Sequence, residues 1–352
     1  MRLAVLAMAA LLATPCMAQE ADWSLAIHGG AGVIERDNLT PEEDAAYRAA
    51  LTHALETGAA VLEAGGSALD AVQATIQMME DNPLFNAGRG AVFSTAGRNE
   101  LDAAIMDGET LKAGSVSSLT RTRHPIAAAR AVMEQTPHVM LAGEAADAFA
   151  ASAGLEQVDP AWFFTERRWQ SLVRTLEGRG EPIPPRPEGA PAPGAMADLG
   201  PQPPLNEKKF GTVGAVALDS QGRLAAATST GGLTGKRWGR IGDSPIIGAG
   251  TYASNADGCA VSGTGTGEYF IRWTVARDVC HRTAGGDTIQ AAADAEIAEI
   301  GAVGGDGGVV SMDAEGRPAF SMNTSGMYRG VIAPGEPAKV AIYGDETPAA
   351  VD

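Results

Sequence analysis

Apolar positions recur at helical spacing through residues 40–81 and at strand density beyond residue 212. Thr40-Pro41-Glu42-Glu43 has the spacing of a capping box with proline at the first helical position, and Leu51, Leu55 and Leu62 then fall on one face. Ser67 and Asp70 repeat the device, with Leu69, Val72, Ile76 and Met79 as the apolar stripe. A short strand at 23–27 runs into HGGAG ahead of these helices, and GAVFS and LDAAIMDG read as strands behind them. Helices are expected at 125–134 and 142–151. The second half predicts strands at 213–218, 224–229 and 259–263, helices at 267–282 and 287–299, and strands at 307–312 and 317–322. VGAVAL (213–218) is apolar at every position, so both its faces should be buried. Runs of strands and pairs of helices in this order point to stacked sheets between helical layers, not to regular βαβα alternation.

Nine of the twenty prolines lie within residues 182–204, a density that neither helix nor sheet ladder survives. The expectation is an exposed, mobile linker over about residues 180–206. With 352 residues, 45% hydrophobic and 20% charged, the chain is globular and long enough for one large domain or two ordinary ones. Residues 1–18 read as a cleavable signal peptide: Arg2, the apolar run 3–12, Pro15, then small residues at Cys16 and Ala18 before a cut ahead of Gln19. The run is too short to span a bilayer, and Cys16 does not follow a lipid-attachment pattern. A periplasmic or secreted location is therefore expected. Losing Arg2 takes the formal net charge from −17 to −18, which argues against nucleic acid as a partner, and no membrane partner is expected. Cys259 falls in a predicted strand and Cys280 late in a predicted helix, and pairing between them is not expected. The five histidines, at 28, 53, 124, 138 and 281, show no paired spacing, so no zinc site is expected.

Candidate chemistry begins at EKKFGTVGAVALD (207–219), where Gly211-Thr212 joins the proline-rich tract to the buried strand. A glycine closing a loop before a β-branched strand residue is the ordinary reading. The sharper one makes Thr212 a nucleophile whose own α-amino group becomes its base once the Gly211–Thr212 bond is cut. Gly211 suits that cut because it tolerates a strained backbone. Taken alone, GTGTGE reads as a tight turn or phosphate loop, and Arg240 with Asp243 in GRIGDSP as a surface ion pair. GLTGK lacks the spacing of a nucleotide-binding P-loop.

Six ordered motifs change those readings: HGGAG, NPLFNAGRGAVF, ELDAAIMDG, GTVGAVALDSQGRLAAATSTGG, GRIGDSPIIGAGTYA and GTGTGE. Together they resemble the isoaspartyl peptidase/L-asparaginase family of N-terminal nucleophile hydrolases over nearly the whole of the chain after residue 18. The resemblance implies an α+β fold, a four-layer αββα sandwich, in which residues 19–211 and 212–352 become α and β chains of one domain. It implies cleavage between Gly211 and Thr212, an (αβ)2 assembly, and hydrolysis of β-aspartyl dipeptides and L-asparagine to L-aspartate. By motif, Thr212 is the nucleophile, Thr230 its hydrogen-bond partner, and Thr264 with the Gly265 N–H the oxyanion hole. Arg240 and Asp243, with Gly265 and Asn86, bind substrate, the arginine fork taking an α-carboxylate and the carboxylate an α-ammonium. No cofactor is implied for the reaction. A structural sodium ion is implied on the backbone carbonyls of Met79, Glu80, Asn82, Phe85, Ala87 and Arg89. The leader and the long proline-rich tract depart from the family's usual pattern. Two other readings stay open: a glycosylasparaginase-type amidase, against which Gly-Thr stands in place of the usual Asp-Thr, and a secreted noncatalytic protein binding a small ligand in glycine loops.

Overall fold

A computed structural model describes residues 23–192 and 209–351; the expected signal peptide and residues 193–208 of the proline-rich tract lie outside them. The larger sheet has ten strands. Its order is β14 (Ala349–Ala350), β13 (Lys339–Tyr343), β12 (Gly326–Ile332), β1 (Ser24–Gly32), β6 (Val213–Leu218), β7 (Leu224–Thr230), β2 (Leu101–Asp107), β3 (Ala113–Leu119) and β4 (Met140–Ala142), with β5 (Lys209–Phe210) also paired to β1. Among the named strands of the described residues, β3 and β4 alone pair in parallel. The smaller sheet is antiparallel, in the order β11 (Pro318–Met322), β10 (Gly307–Asp313), β9 (Cys259–Gly265), β8 (Thr251–Ser254). Helices α1 (Pro41–Glu63), α2 (Ala68–Asp81) and α3 (Pro125–Gln135) cover the outer face of the large sheet. α4 (Gly143–Ser152) and α5 (Glu166–Arg179) follow in the first half; α6 (Gly267–Trp273), α7 (Val275–Ala284) and α8 (Ile289–Ala302) belong to the second, where α7 and α8 cover the small sheet. The result is the four-layer αββα sandwich of the N-terminal nucleophile hydrolase type.

Both capping boxes are formed: Glu43 N–H donates to Thr40 Oγ1 at 3.2 Å, and Asp70 N–H to Ser67 Oγ at 3.1 Å. On α2, Val72, Ile76 and Met79 are buried, but Leu69 is half-buried and Ala68 takes the inner position instead.

Strand alternation sets up the rest of the molecule. On β6, Val213, Ala215 and Ala217 face the core under α1–α3, while Val216 and Leu218 face the core between the sheets. β1, β2, β7 and β9 obey the same parity, so even-numbered positions on all five strands meet in the intersheet layer. Toward one end that layer is apolar, with Ala26, Val216, Leu218, Ala226, Ala260 and Met312. At the other the even positions are His28, Asp102, Thr212, Thr228, Thr230, Ser262 and Thr264, all buried.

Several expectations need correction. HGGAG continues β1 instead of following it. GAVFS forms no strand; Asn86 Oδ1 accepts the Val92 N–H (2.9 Å) and Asn99 Nδ2 donates to the Ala91 carbonyl (2.8 Å), so side chains replace the ladder and only a bridge at Phe93 and Asn99 remains. The helix expected over 267–282 breaks at Thr274 (φ 50°), because the Ala276 and Arg277 N–H groups donate to Ala249 and Gly248 carbonyls from a neighbouring loop. Beyond the elements that the sequence predicts, the structure has β3, β4, β5, β8, β12, β13, β14 and α5. The cysteines pair: Cys259 lies on the odd face of β9, α7 crosses that face, and the Cys259–Cys280 disulfide spans a Cα–Cα distance of 5.3 Å. The described part of the proline-rich tract has no helix or strand, and Arg186 holds it through Glu166 and against the Phe164 ring at 4.8 Å.

Candidate active site

Thr212 enters β6 from the Gly211 junction with its side chain in the polar end of the intersheet layer. Its Oγ1 is 3.0 Å from Thr230 Oγ1 at the end of the paired strand β7, and Thr230 Oγ1 accepts the Gly232 N–H at 3.0 Å. The Gly211 carbonyl accepts the Asn86 N–H at 3.0 Å. A Cβ on Gly211 would lie 2.7 Å from Asn86 Cβ, so the residue before the nucleophile is held to glycine by close approach. Asn86 is the hub of this junction. Its Nδ2 donates to the Gly232 carbonyl (2.7 Å), its Oδ1 accepts from Val92, and its carbonyl accepts the Gly231 N–H (3.0 Å).

Behind Thr212 runs a chain of hydroxyls headed by His28, a residue to which no role was assigned from sequence. His28 Nδ1 donates to the Thr212 carbonyl (3.1 Å), and complete burial pushes its pKa down to about 3, against the raising effect of that bond. The ring is therefore neutral, and since Nδ1 carries the proton, Nε2 accepts from Ser262 Oγ (3.0 Å). Ser262 in turn accepts from Thr228 Oγ1 (2.6 Å), and Thr228 from Thr251 Oγ1 (2.7 Å). All five groups are buried. The signal that finds them in the sequence is parity: 28, 228 and 262 share the register of 212, 230 and 264.

Thr264 and Gly265 end β9, and a Cβ on Gly265 would overlap the Asp306 carbonyl and crowd the Phe270 ring. Arg240 and Asp243 converge on the same loop: a Cβ on Gly267 would lie 2.7 Å from Asp243 Oδ1 and 2.9 Å from Arg240 Nη2. Asp243 is 5% exposed, its Oδ2 has no hydrogen-bond partner, and burial pushes its carboxyl up to about 7. A desolvated carboxylate oxygen without a hydrogen-bond partner is one that a neighbouring cation would stabilise. Arg240 spends its fork on Glu268, with Nε and Nη2 at 2.9 and 3.0 Å from the two carboxylate oxygens. Glu268 thus shows the bidentate geometry that another carboxylate would adopt. Nearby, the buried Lys236 ammonium donates to the Glu100 carbonyl (2.8 Å) and lies 4.0 Å from Asp102 Oδ2, a buried oxygen without a hydrogen-bond partner.

On the outer side of β7, Ser229 Oγ donates to the buried Glu80 carboxylate (2.7 Å), which also accepts the Ile126 N–H (3.0 Å). Burial raises the Glu80 pKa, opposed by His124 at 3.3 Å. The loop after Glu80 turns its backbone inward. Gly88 (φ 50°) has room only for hydrogen against the Glu80 carbonyl, and Gly90 likewise against that of Phe85. The Met79, Asn82 and Ala87 carbonyls each accept one backbone N–H, which leaves each a lone pair. A set of neutral oxygens without a carboxylate among them fits a hard monovalent cation. Among the described residues, no cluster of three or more His, Cys, Asp or Glu side chains could hold a metal ion.

The asparaginase family profile matches residues 21–342. The isoaspartyl peptidase of Escherichia coli strain K12 is 47% identical over 321 residues, covering 91% of this chain and 95% of that protein. A putative isoaspartyl peptidase/L-asparaginase of Dictyostelium discoideum is 43% identical over 322 residues, 88% of this chain and 92% of its own. The isoaspartyl peptidase/L-asparaginase of Homo sapiens is 39% identical over 289 residues, 82% and 85% of the two chains.

Proposed function

The chain belongs to the asparaginase family, and from that membership we propose that it is a self-processing threonine hydrolase that cleaves β-aspartyl (isoaspartyl) dipeptides and L-asparagine, releasing L-aspartate. The observation that carries this reading is the Gly211 carbonyl hydrogen-bonded by Asn86 N–H beside a Thr212 hydroxyl paired to Thr230. The Thr212 oxygen attacks the Gly211 carbonyl carbon, with the Asn86 N–H receiving charge that develops on its oxygen. The C–N bond breaks, the nitrogen takes a proton, and the resulting ester is hydrolysed by water. Gly211 leaves as a carboxylate and Thr212 gains a free α-amine, while His28 keeps the Thr212 carbonyl where it was.

The amine, with a reference pKa of roughly 7.7 to 8.0, then takes the proton from its own hydroxyl as that oxygen attacks a substrate β-carbonyl. Thr264 and the Gly265 N–H receive the oxyanion, the leaving amine departs protonated, and water releases L-aspartate from the acyl-enzyme. Arg240 would take the α-carboxylate in competition with Glu268, and the unpaired Oδ2 of Asp243 would take the α-ammonium. The same reading includes a sodium ion on the carbonyls between Met79 and Arg89, and self-association as (αβ)2. It also includes export, supported by the order of residues 1–18 and by a disulfide, a bond that persists in oxidising compartments.

The test is the intact mass of the purified protein. Wild type should run as two chains with the second beginning at Thr212, and Thr212→Ala should stay whole. An alanine variant that splits at the same bond would mean that a host protease makes the cut, and the nucleophile assignment would fall.

A further inference from the structure

The loop from Thr230 to Arg240 borders a cavity of about 290 Å³ lined by Arg179, Gly235, Arg237, Trp238 and Arg240, of which the steps above use Arg240 alone. Three arginines line this one cavity in a chain of formal net charge −17. Two lean on carboxylates of the protein's own: Arg237 pairs with Glu181, and Arg240 with Glu268. Arg179, at the end of α5, donates to the Gly235 carbonyl at 3.0 Å and so fixes the cavity floor. Trp238 is 95% exposed, more than any other large apolar side chain among the described residues, and has φ 54°, a conformation rare outside glycine. The Arg237 guanidinium stands 5.6 Å from its ring centroid. An exposed aromatic in a left-handed conformation beside paired arginines packs nothing inside the fold.

We propose that this cavity is the leaving-group subsite, in which Arg179 and Arg237 hold the free carboxylate of the residue released from a β-aspartyl peptide while its side chain lies on Trp238. The proposal rests on the hydrolase reading above and narrows it. Arg240 fixes the aspartyl end, and the adjoining arginines select substrates whose other end is also a carboxylate. L-Asparagine releases ammonia and has no group to place there, so the subsite makes peptides the preferred substrates. The ligand class is an amino acid with a free carboxylate and an apolar or aromatic side chain. Glu181 and Glu268 set the exchange: an incoming carboxylate replaces an internal one and buries no uncompensated charge.

The experiment measures kcat/KM for β-Asp-Leu, the same dipeptide amidated at its C-terminus, and L-asparagine, on wild type, Trp238→Ala and Arg179→Gln. Each variant should lower kcat/KM for β-Asp-Leu about tenfold, chiefly through KM, and leave L-asparagine within about twofold. The amidated dipeptide should already be poor on wild type and indifferent to Arg179→Gln. Trp238 is nearly all in water, so its loss reads on binding and not on folding. Equal losses on peptide and asparagine, or none on either, would overturn the subsite and leave the hydrolase reading standing. So would wild type that hydrolyses amidated and free dipeptide alike. Wild type that hydrolyses none of the three would remove the hydrolase reading and the subsite with it.

Discussion

At the scale of single residues, the proposed role of Asp243 would couple the site to pH. Burial raises its carboxyl to about 7, so in the free protein it is protonated on the acid side of that value and cannot receive an α-ammonium as a charge. Once the ammonium is bound, opposite charge favours the carboxylate and lowers the pKa again. On the proposed reading two groups must therefore lose protons before free enzyme captures substrate, Asp243 and the Thr212 amine, but only the amine limits the bound complex. The expected outcome is a kcat/KM that falls with a limiting slope near two below about pH 7 while kcat falls with slope one, so that KM rises in acid. In Asp243→Asn the KM should be raised by about a hundredfold and lose its pH dependence. A wild-type KM that is flat from about pH 6 to 8 would show that Asp243 does not hold the ammonium. Arg240 and Asp243 were legible because both sit in one short motif. His28 was not, since its partner lies 184 residues away and only the register of β1 on β6 brings them together.

At the scale of elements, that register depends on what β6 leaves out. Gly214 pairs with His28 across β1 and β6, and a Cβ there would overlap both His28 Nε2 and Ser262 Oγ. The two sheets approach closely enough for the His28–Ser262 bond because Gly214 has no side chain. Gly214→Ala should force the sheets apart or break the bond. Overpacking of this kind costs about 1–3 kcal/mol, readable as a lower denaturant midpoint, and self-cleavage should slow as the Thr212 carbonyl loses its anchor. Wild-type stability and processing in Gly214→Ala would mean that the gap has slack and that His28 is not positioned by it. The elements read correctly from sequence were those whose signals are local: the capping boxes at Thr40 and Ser67, and the all-apolar run of β6. Those misread depend on distant partners. GAVFS has strand composition but gives its backbone to Asn86 and Asn99, and the helix through Thr274 is broken by carbonyls at 248 and 249.

At the scale of the whole molecule, cleavage at Gly211–Thr212 would leave two chains threaded through one sheet. β1 from the first lies between β6 and β12 from the second, and β2 pairs with β7. The ladders hold the halves together, while the disulfide lies wholly within the second, joining Cys259 on β9 to Cys280 on α7. Its effect is to fasten the outer helical layer to the strand that carries Ser262, Thr264 and Gly265. Closing a loop of 21 residues is worth about 3 kcal/mol in the chain-entropy account. For a chain of 352 residues that is a shift of roughly 4 °C in Tm. The processed protein should therefore show no reactive thiol from Cys259 or Cys280 until reduced, and its Tm should fall by that amount in reductant. Cys280→Ser should start at the lower Tm and not respond to reductant. Activity at room temperature should survive in both, because the ladders alone fix β9 against β10. A wild-type Tm unchanged by reductant, with both thiols labelled in the native protein, would show that the cysteines do not pair in solution and would remove the structural support for an oxidising compartment.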